Sequence, residues 1–108
     1  MGNWAVIVQY FESGRGMYEG GVICRGRETK DQALEELRAV LHTYTPTKGI
    51  IEERRQVYRL ADQESYLVVI KGQMTLWECT LRVAELMSDS ADPAVAERAH
   101  GKQRGENG

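Results

Sequence analysis

The 108-residue chain has no long hydrophobic run, and this argues against two classes of protein. No stretch approaches the ~20 apolar residues of a membrane-spanning helix. The apolar run Trp4–Val8 is too short for the core of a signal peptide, and no Lys or Arg precedes it. We therefore expect a cytosolic protein that does not enter a membrane.

An excess of positive charge is also missing. The chain has 14 Lys and Arg against 16 Asp and Glu, a formal net charge of −2. Proteins that bind duplex nucleic acid neutralise its phosphates with clustered cations. The charge balance therefore argues against duplex nucleic acid as a partner.

Cysteine and histidine are scarce, with two of each. Cys24 and Cys79 both lie in apolar segments, so we expect two buried, reduced thiols. No pair of these residues has the spacing of zinc ligands, and His100 lies in a polar segment. We expect no metal site and no cofactor.

What the chain does have is a set of strand patterns. Residues 3–11 and 65–72 are apolar on both alternating faces, which is typical of strands covered on both sides. Residues 17–25 form another predicted strand, in which Gly20 and Gly21 indicate a bulge or a close backbone approach.

One amphipathic helix is predicted after the strands at residues 3–11 and 17–25. Thr29 and Gln32 have the spacing of a capping box, and leucines then recur at helical spacing. Pro46 cannot continue the helix, and Gly49 supplies a turn.

Two segments fit either a strand or a helix: residues 50–61 and 73–87. We favour a strand at 50–61, and a strand at 73–87 that ends near Val83 and continues as a helical turn. The order β-β-α-β-β-β predicts a small α+β domain with a largely antiparallel sheet over residues 1–88. If 73–87 is a helix, the order becomes β-β-α-β-β-α.

Residues 89–108 carry few apolar side chains, with Val95 the largest. Such a segment cannot offset the ordering entropy of ~1–2 kcal/mol per residue for the backbone alone. We predict a mobile polar tail that is dispensable for folding.

The glycine-rich stretch 11–24 raises the question of a phosphate-binding loop. Gly14 and Gly16 fit the dinucleotide pattern, but Glu19 replaces its third glycine, and a strand follows where a helix is required. We interpret the stretch as a hairpin connection; its alternative role is a ligand-contacting loop with Arg15 as the only cation.

No arrangement of residues predicts catalysis, so an enzyme is the less favoured hypothesis. His42 lies near the helix C-terminus, where a histidine is favoured by the helix dipole. If a pocket lies between helix and sheet, its lining is expected to come from aromatic and imidazole side chains: His42, Tyr44, Tyr58 and Trp77.

Arg55 and Arg59 share one face of the predicted strand 50–61. With nearby aromatic side chains they could bind single-stranded nucleic acid. The mixed charges of this segment are more typical of a sheet edge that resists unwanted strand pairing.

The predicted sheet has more apolar surface than one helix covers. Five strands ~4.8 Å apart make a sheet about 20 Å wide, whereas one helix is ~10 Å across. We therefore predict a non-catalytic binding or regulatory module whose apolar sheet face meets a protein partner, with a homodimer as the commonest solution.

Overall fold

The computed structural model describes residues 2–14 and 16–99, with Met17 described by its backbone alone. The elements, in chain order, are β1 (Trp4–Glu12), β2 (Met17–Arg27), α1 (Lys30–Val40), β3 (Glu52–Arg59), β4 (Tyr66–Gly72), β5 (Leu76–Glu85) and α2 (Ala94–Arg98).

The strands form one antiparallel sheet in the order β2-β1-β5-β4-β3. This confirms the predicted α+β class, and both ambiguous segments are strands. The predicted helical turn after Val83 is wrong, because β5 stays paired with β1 as far as the Glu85–Trp4 pair. The first strand of the chain thus supplies the hydrogen-bonding partner that keeps the end of β5 extended.

The glycine-rich stretch is the hairpin between β1 and β2. Gly16 has φ +64°, and its N–H donates to the Glu12 carbonyl oxygen at 3.0 Å. Gly20 lies at a close backbone approach, because a Cβ there would be 2.6 Å from the Val8 carbonyl oxygen. The hairpin and the close approach agree with the sequence, whereas Arg15 lies outside the described residues.

Helix α1 begins at the predicted cap. The Thr29 hydroxyl accepts from the Gln32 N–H at 3.1 Å, and the Gln32 side chain accepts from the Glu28 N–H at 2.9 Å. The helix packs against β1, β5 and β2. Its buried Ala33 and Leu37 join one core with strand residues of the same sheet face, among them Val6, Val8, Val68, Ile70, Cys79 and Leu81.

Part of the predicted tail is folded onto the body. In α2, Val95 is 3 % exposed, and the residue after the helix, Ala99, is fully buried. The Asn3 side-chain amide donates to the Val95 carbonyl oxygen at 3.0 Å, and Arg98 Nε donates to Asn3 Oδ1 at 3.2 Å. Residues 100–108 lie outside the described residues, and whether the whole segment is dispensable stays a prediction.

Candidate functional site: the open sheet face

The two faces of the sheet have different surroundings. Side chains on one face pack with α1, while alternate residues point to the other side, which we call the open face. Its residues follow from the strand register: Ala5, Ile7, Gln9 and Phe11 of β1; Tyr18, Gly20 and Val22 of β2; Arg54, Gln56 and Tyr58 of β3; Leu67, Val69 and Lys71 of β4; and Leu76, Glu78, Thr80, Arg82 and Ala84 of β5.

The open face is rich in apolar side chains. Tyr18 is 79 % exposed, Tyr58 48 % and Val22 39 %. The Phe11 and Tyr18 rings are 5.0 Å apart between centroids and inclined at 46°. Side chains nearer the middle of the face, such as Val69, are half-buried. A surface this apolar is typical of an interaction site.

Over the described strands, the open face carries four charged residues: Arg54 and Lys71 on β3 and β4, near one edge of the sheet, and Glu78 and Arg82 on β5. Glu78 lies between Phe11 of β1 and Val69 of β4, and it is exposed. Arg82, which is also exposed, lies on the same strand and is paired with Ile7 of β1. One uncharged residue of the same face, Thr80, separates the two charges along β5.

The four residues predicted to line one pocket are not brought together. Tyr44 and Trp77 belong to the helix-covered face or pack against its core. Tyr58 lies on the opposite face of the sheet, and His42 is exposed in the turn after α1. The sheet itself therefore separates Tyr58 from the two core aromatics.

Tyr44 and Trp77 line two neighbouring hollows beside the loop between α1 and β3. The first has a volume of about 290 Å³ and includes Tyr10, Tyr44 and Pro46; the second, about 230 Å³, includes Tyr10, Pro46 and Trp77. Burial raises the pKa of Tyr44 to about 12, with smaller contributions from Cys79 and Tyr10. The Tyr44 hydroxyl is therefore neutral at physiological pH and can donate or accept a hydrogen bond.

Arg55 is occupied by contacts within the protein. Its guanidinium is hydrogen-bonded to both Glu52 carboxylate oxygens, with a shortest distance of 2.8 Å, and Nη1 donates to the Leu41 carbonyl oxygen at 3.1 Å. Only 9 % of the Arg55 side chain is exposed. Arg55 thus joins the edge strand β3 to the end of α1, whereas Arg59 is exposed.

Both cysteines are free thiols. Cys79 is fully buried, and burial raises its pKa to about 11, so its thiol stays protonated at physiological pH. Cys24 is half-buried. Within residues 2–14 and 16–99, no group of three acidic, Cys or His side chains is placed to hold a metal ion.

The sequence analysis missed the polar members of the open face. Alternation alone assigns Glu78 and Arg82 to the polar face of residues 73–87 and Phe11 to one face of residues 3–11. Their significance depends on β1 lying beside β5, which brings Phe11 next to Glu78. The available signal was the alternation itself, once the neighbouring strand is known.

Comparisons of the chain with protein-family models, with curated proteins and with solved structures found no match. In the part of the chain that the structure describes, no helix is long and apolar enough to cross a membrane. The class that the fold defines is a small α+β domain with a sheet covered by a helix on one side.

Proposed function

We propose that this chain is a small cytosolic, non-catalytic interaction module that acts by burying its open face against a protein surface. The observation that carries the proposal is the apolar surface of that face, with Tyr18 and Val22 exposed on one edge strand, Tyr58 exposed on the other, and the Phe11 ring beside that of Tyr18. Burying apolar surface stabilises a complex by roughly 25 cal/mol per Å² before the costs of association.

The size of the open face fits a protein interface. The sheet is about 20 Å wide, and the ten residues of β5 extend for about 30 Å. The flat area is then about 600 Å², which is close to the ~800 Å² that each partner buries in a standard interface. Side chains that project from the sheet add to this area.

The charges favour a protein partner over single-stranded nucleic acid. Glu78 lies among the apolar residues of the face and repels a phosphate. Of the cations nearby, Lys71 is 3.3 Å from a Glu53 carboxylate oxygen. Arg55, one of the two arginines that the nucleic-acid hypothesis named, is held by Glu52 and Leu41.

Site-specific photocrosslinking in cells that produce the protein tests the proposal. Gln9 is exposed on the open face, and Glu35 is exposed on α1, on the other side of the sheet. A benzophenone amino acid at position 9 should give a discrete crosslinked product whose linked peptide is identified by mass spectrometry, and position 35 should give none.

The substitution Val69→Lys, which adds a charge to the same face, should abolish the product from position 9 in a chain that still melts cooperatively. Equal products from positions 9 and 35, or no product from position 9, would contradict an interaction role for this face.

A further inference from the structure

We infer that the partner of the open face is a second copy of this chain and that the two sheets pack face to face. The two-fold axis lies between the sheets, at right angles to the strands, and passes over Thr80. Each strand therefore runs antiparallel to its counterpart in the other copy. This inference rests on the proposed function and adds the identity and the register of the partner. It is carried by the charged residues of β5 and by the uncharged residues of the five strands that the register aligns with Thr80.

The strand register indicates where the two-fold axis crosses the open face. Strand pairing aligns one row of residues across the sheet at right angles to the strands: Gly20, Gln9, Thr80, Leu67 and Tyr58. Each residue on such an axis faces its own copy, so a charge there would be repelled. None of these five residues is charged.

The charges of β5 lie symmetrically on either side of this row. Glu78 is two residues before Thr80, and Arg82 is two residues after it. Rotation about the axis reverses the strand direction, so Glu78 of one copy faces Arg82 of the other, twice in the dimer. β5 is the middle strand of the sheet, which places both ion pairs at the centre of the interface.

The apolar residues pair in the same way. Gln9 lies on the axis, so Phe11 of one copy faces Ile7 of the other. On β2, Gly20 lies on the axis, so Tyr18 faces Val22. Gly20 has no side chain, which leaves room for the large aromatic rings beside it.

Glu78 of one copy can still reach Arg82 of the other at the usual angle between two packed sheets. Two residues of a strand span ~6.8 Å, so the rotation of about 30° between aligned sheets displaces residues 78 and 82 sideways by only about 3 Å. A glutamate and an arginine that project from opposite sheets ~10 Å apart can meet across that gap.

The other face-to-face arrangement has an axis parallel to β5 and is disfavoured. In that arrangement Glu78 would face Glu78 and Arg82 would face Arg82. Like charges placed together in an interface oppose association, which makes the antiparallel register the one that the sequence permits.

A charge exchange tests the register by sedimentation equilibrium. The unmodified chain should form a dimer of twice its 12.2 kDa mass. Glu78→Arg and Arg82→Glu should each raise the dissociation constant by about 100-fold, because each dimer would hold two like-charge pairs. An equimolar mixture of the two variants should form a heterodimer, since all facing charges are then opposite.

Matched controls reverse charges away from the open face. Glu35→Arg on α1 and Lys48→Glu in the loop before β3 should dimerise as the unmodified chain does. If both β5 variants dimerise normally, the register is wrong although the interaction face stands. If the unmodified chain is monomeric while position 9 crosslinks to another protein, the second copy is the wrong partner.

Discussion

Replacing Arg55 by alanine tests whether this residue acts within the fold, and we expect a lower stability. The variant loses the hydrogen bond to the Leu41 carbonyl oxygen and the hydrogen bonds to both Glu52 carboxylate oxygens. A hydrogen bond from a charged group contributes ~1.5–3 kcal/mol, and a partly exposed ion pair ~0–1 kcal/mol. The free energy of unfolding should therefore fall by about 2–3 kcal/mol, or about 10 °C in melting temperature.

The same variant should change how stability depends on pH. The hydrogen bonds from Arg55 lower the pKa of Glu52 below its ordinary value, with partial burial opposing. The pair thus stabilises the native protein above the ordinary glutamate pKa of ~4.3. This contribution is lost as the pH falls through the lowered pKa of the native state. In that pH range the difference in the free energy of unfolding between the unmodified chain and Arg55→Ala should become smaller. The difference that remains is due to the hydrogen bond from Arg55 to the Leu41 carbonyl oxygen.

Arg59→Ala is the matched control, because Arg59 is on the same strand and exposed. Surface substitutions of this kind usually change stability by less than ~0.5 kcal/mol. Thermal unfolding followed by circular dichroism, from neutral pH to below pH ~4, measures all three chains. Equal melting temperatures for the two variants would refute the structural role of Arg55 and return it to the candidates for ligand binding.

Three further predictions concern the hairpin, the C-terminal segment and the thiols. Gly20→Ala should lower the free energy of unfolding by more than ~1 kcal/mol, because its Cβ would clash with a carbonyl oxygen of β1, whereas Gly21→Ala, which meets no atom within 4 Å, should be neutral or stabilising in urea titrations. A chain cut after Ser90 should melt several degrees lower than a chain cut after Ala99, because it lacks the buried Val95 and Ala99. Identical melting temperatures would show that the segment is dispensable, as its composition predicts. A thiol reagent should modify Cys24 much faster than Cys79 in the native protein, and equal rates would contradict the burial and raised pKa of Cys79.

Local signals in the sequence predicted most of the secondary structure. The cap at Thr29 and the hairpin glycine at residue 16 act through neighbours within four residues, so the sequence was sufficient to locate them. The surplus of apolar sheet surface was also predictable, because alternation alone assigns side chains to two faces.

The strand order was decided by the tertiary structure. The apolar composition of residues 65–72 is typical of an interior strand, and β4 is one, but only the structure shows that the middle strand is β5. Pairing between β1 and β5 joins distant parts of the chain, and it keeps residues 84 and 85 in a strand that their local sequence did not predict.

The sequence by itself determined most of the strands, the main helix and the surplus of apolar sheet surface that one helix leaves uncovered. Only the tertiary structure decided which residues meet: Arg55 with Leu41, Val95 with Asn3, and Glu78 with Phe11. Each of these contacts joins residues well separated along the chain. Short-range periodicity carries no information about such contacts, because they depend on how the whole sheet assembles.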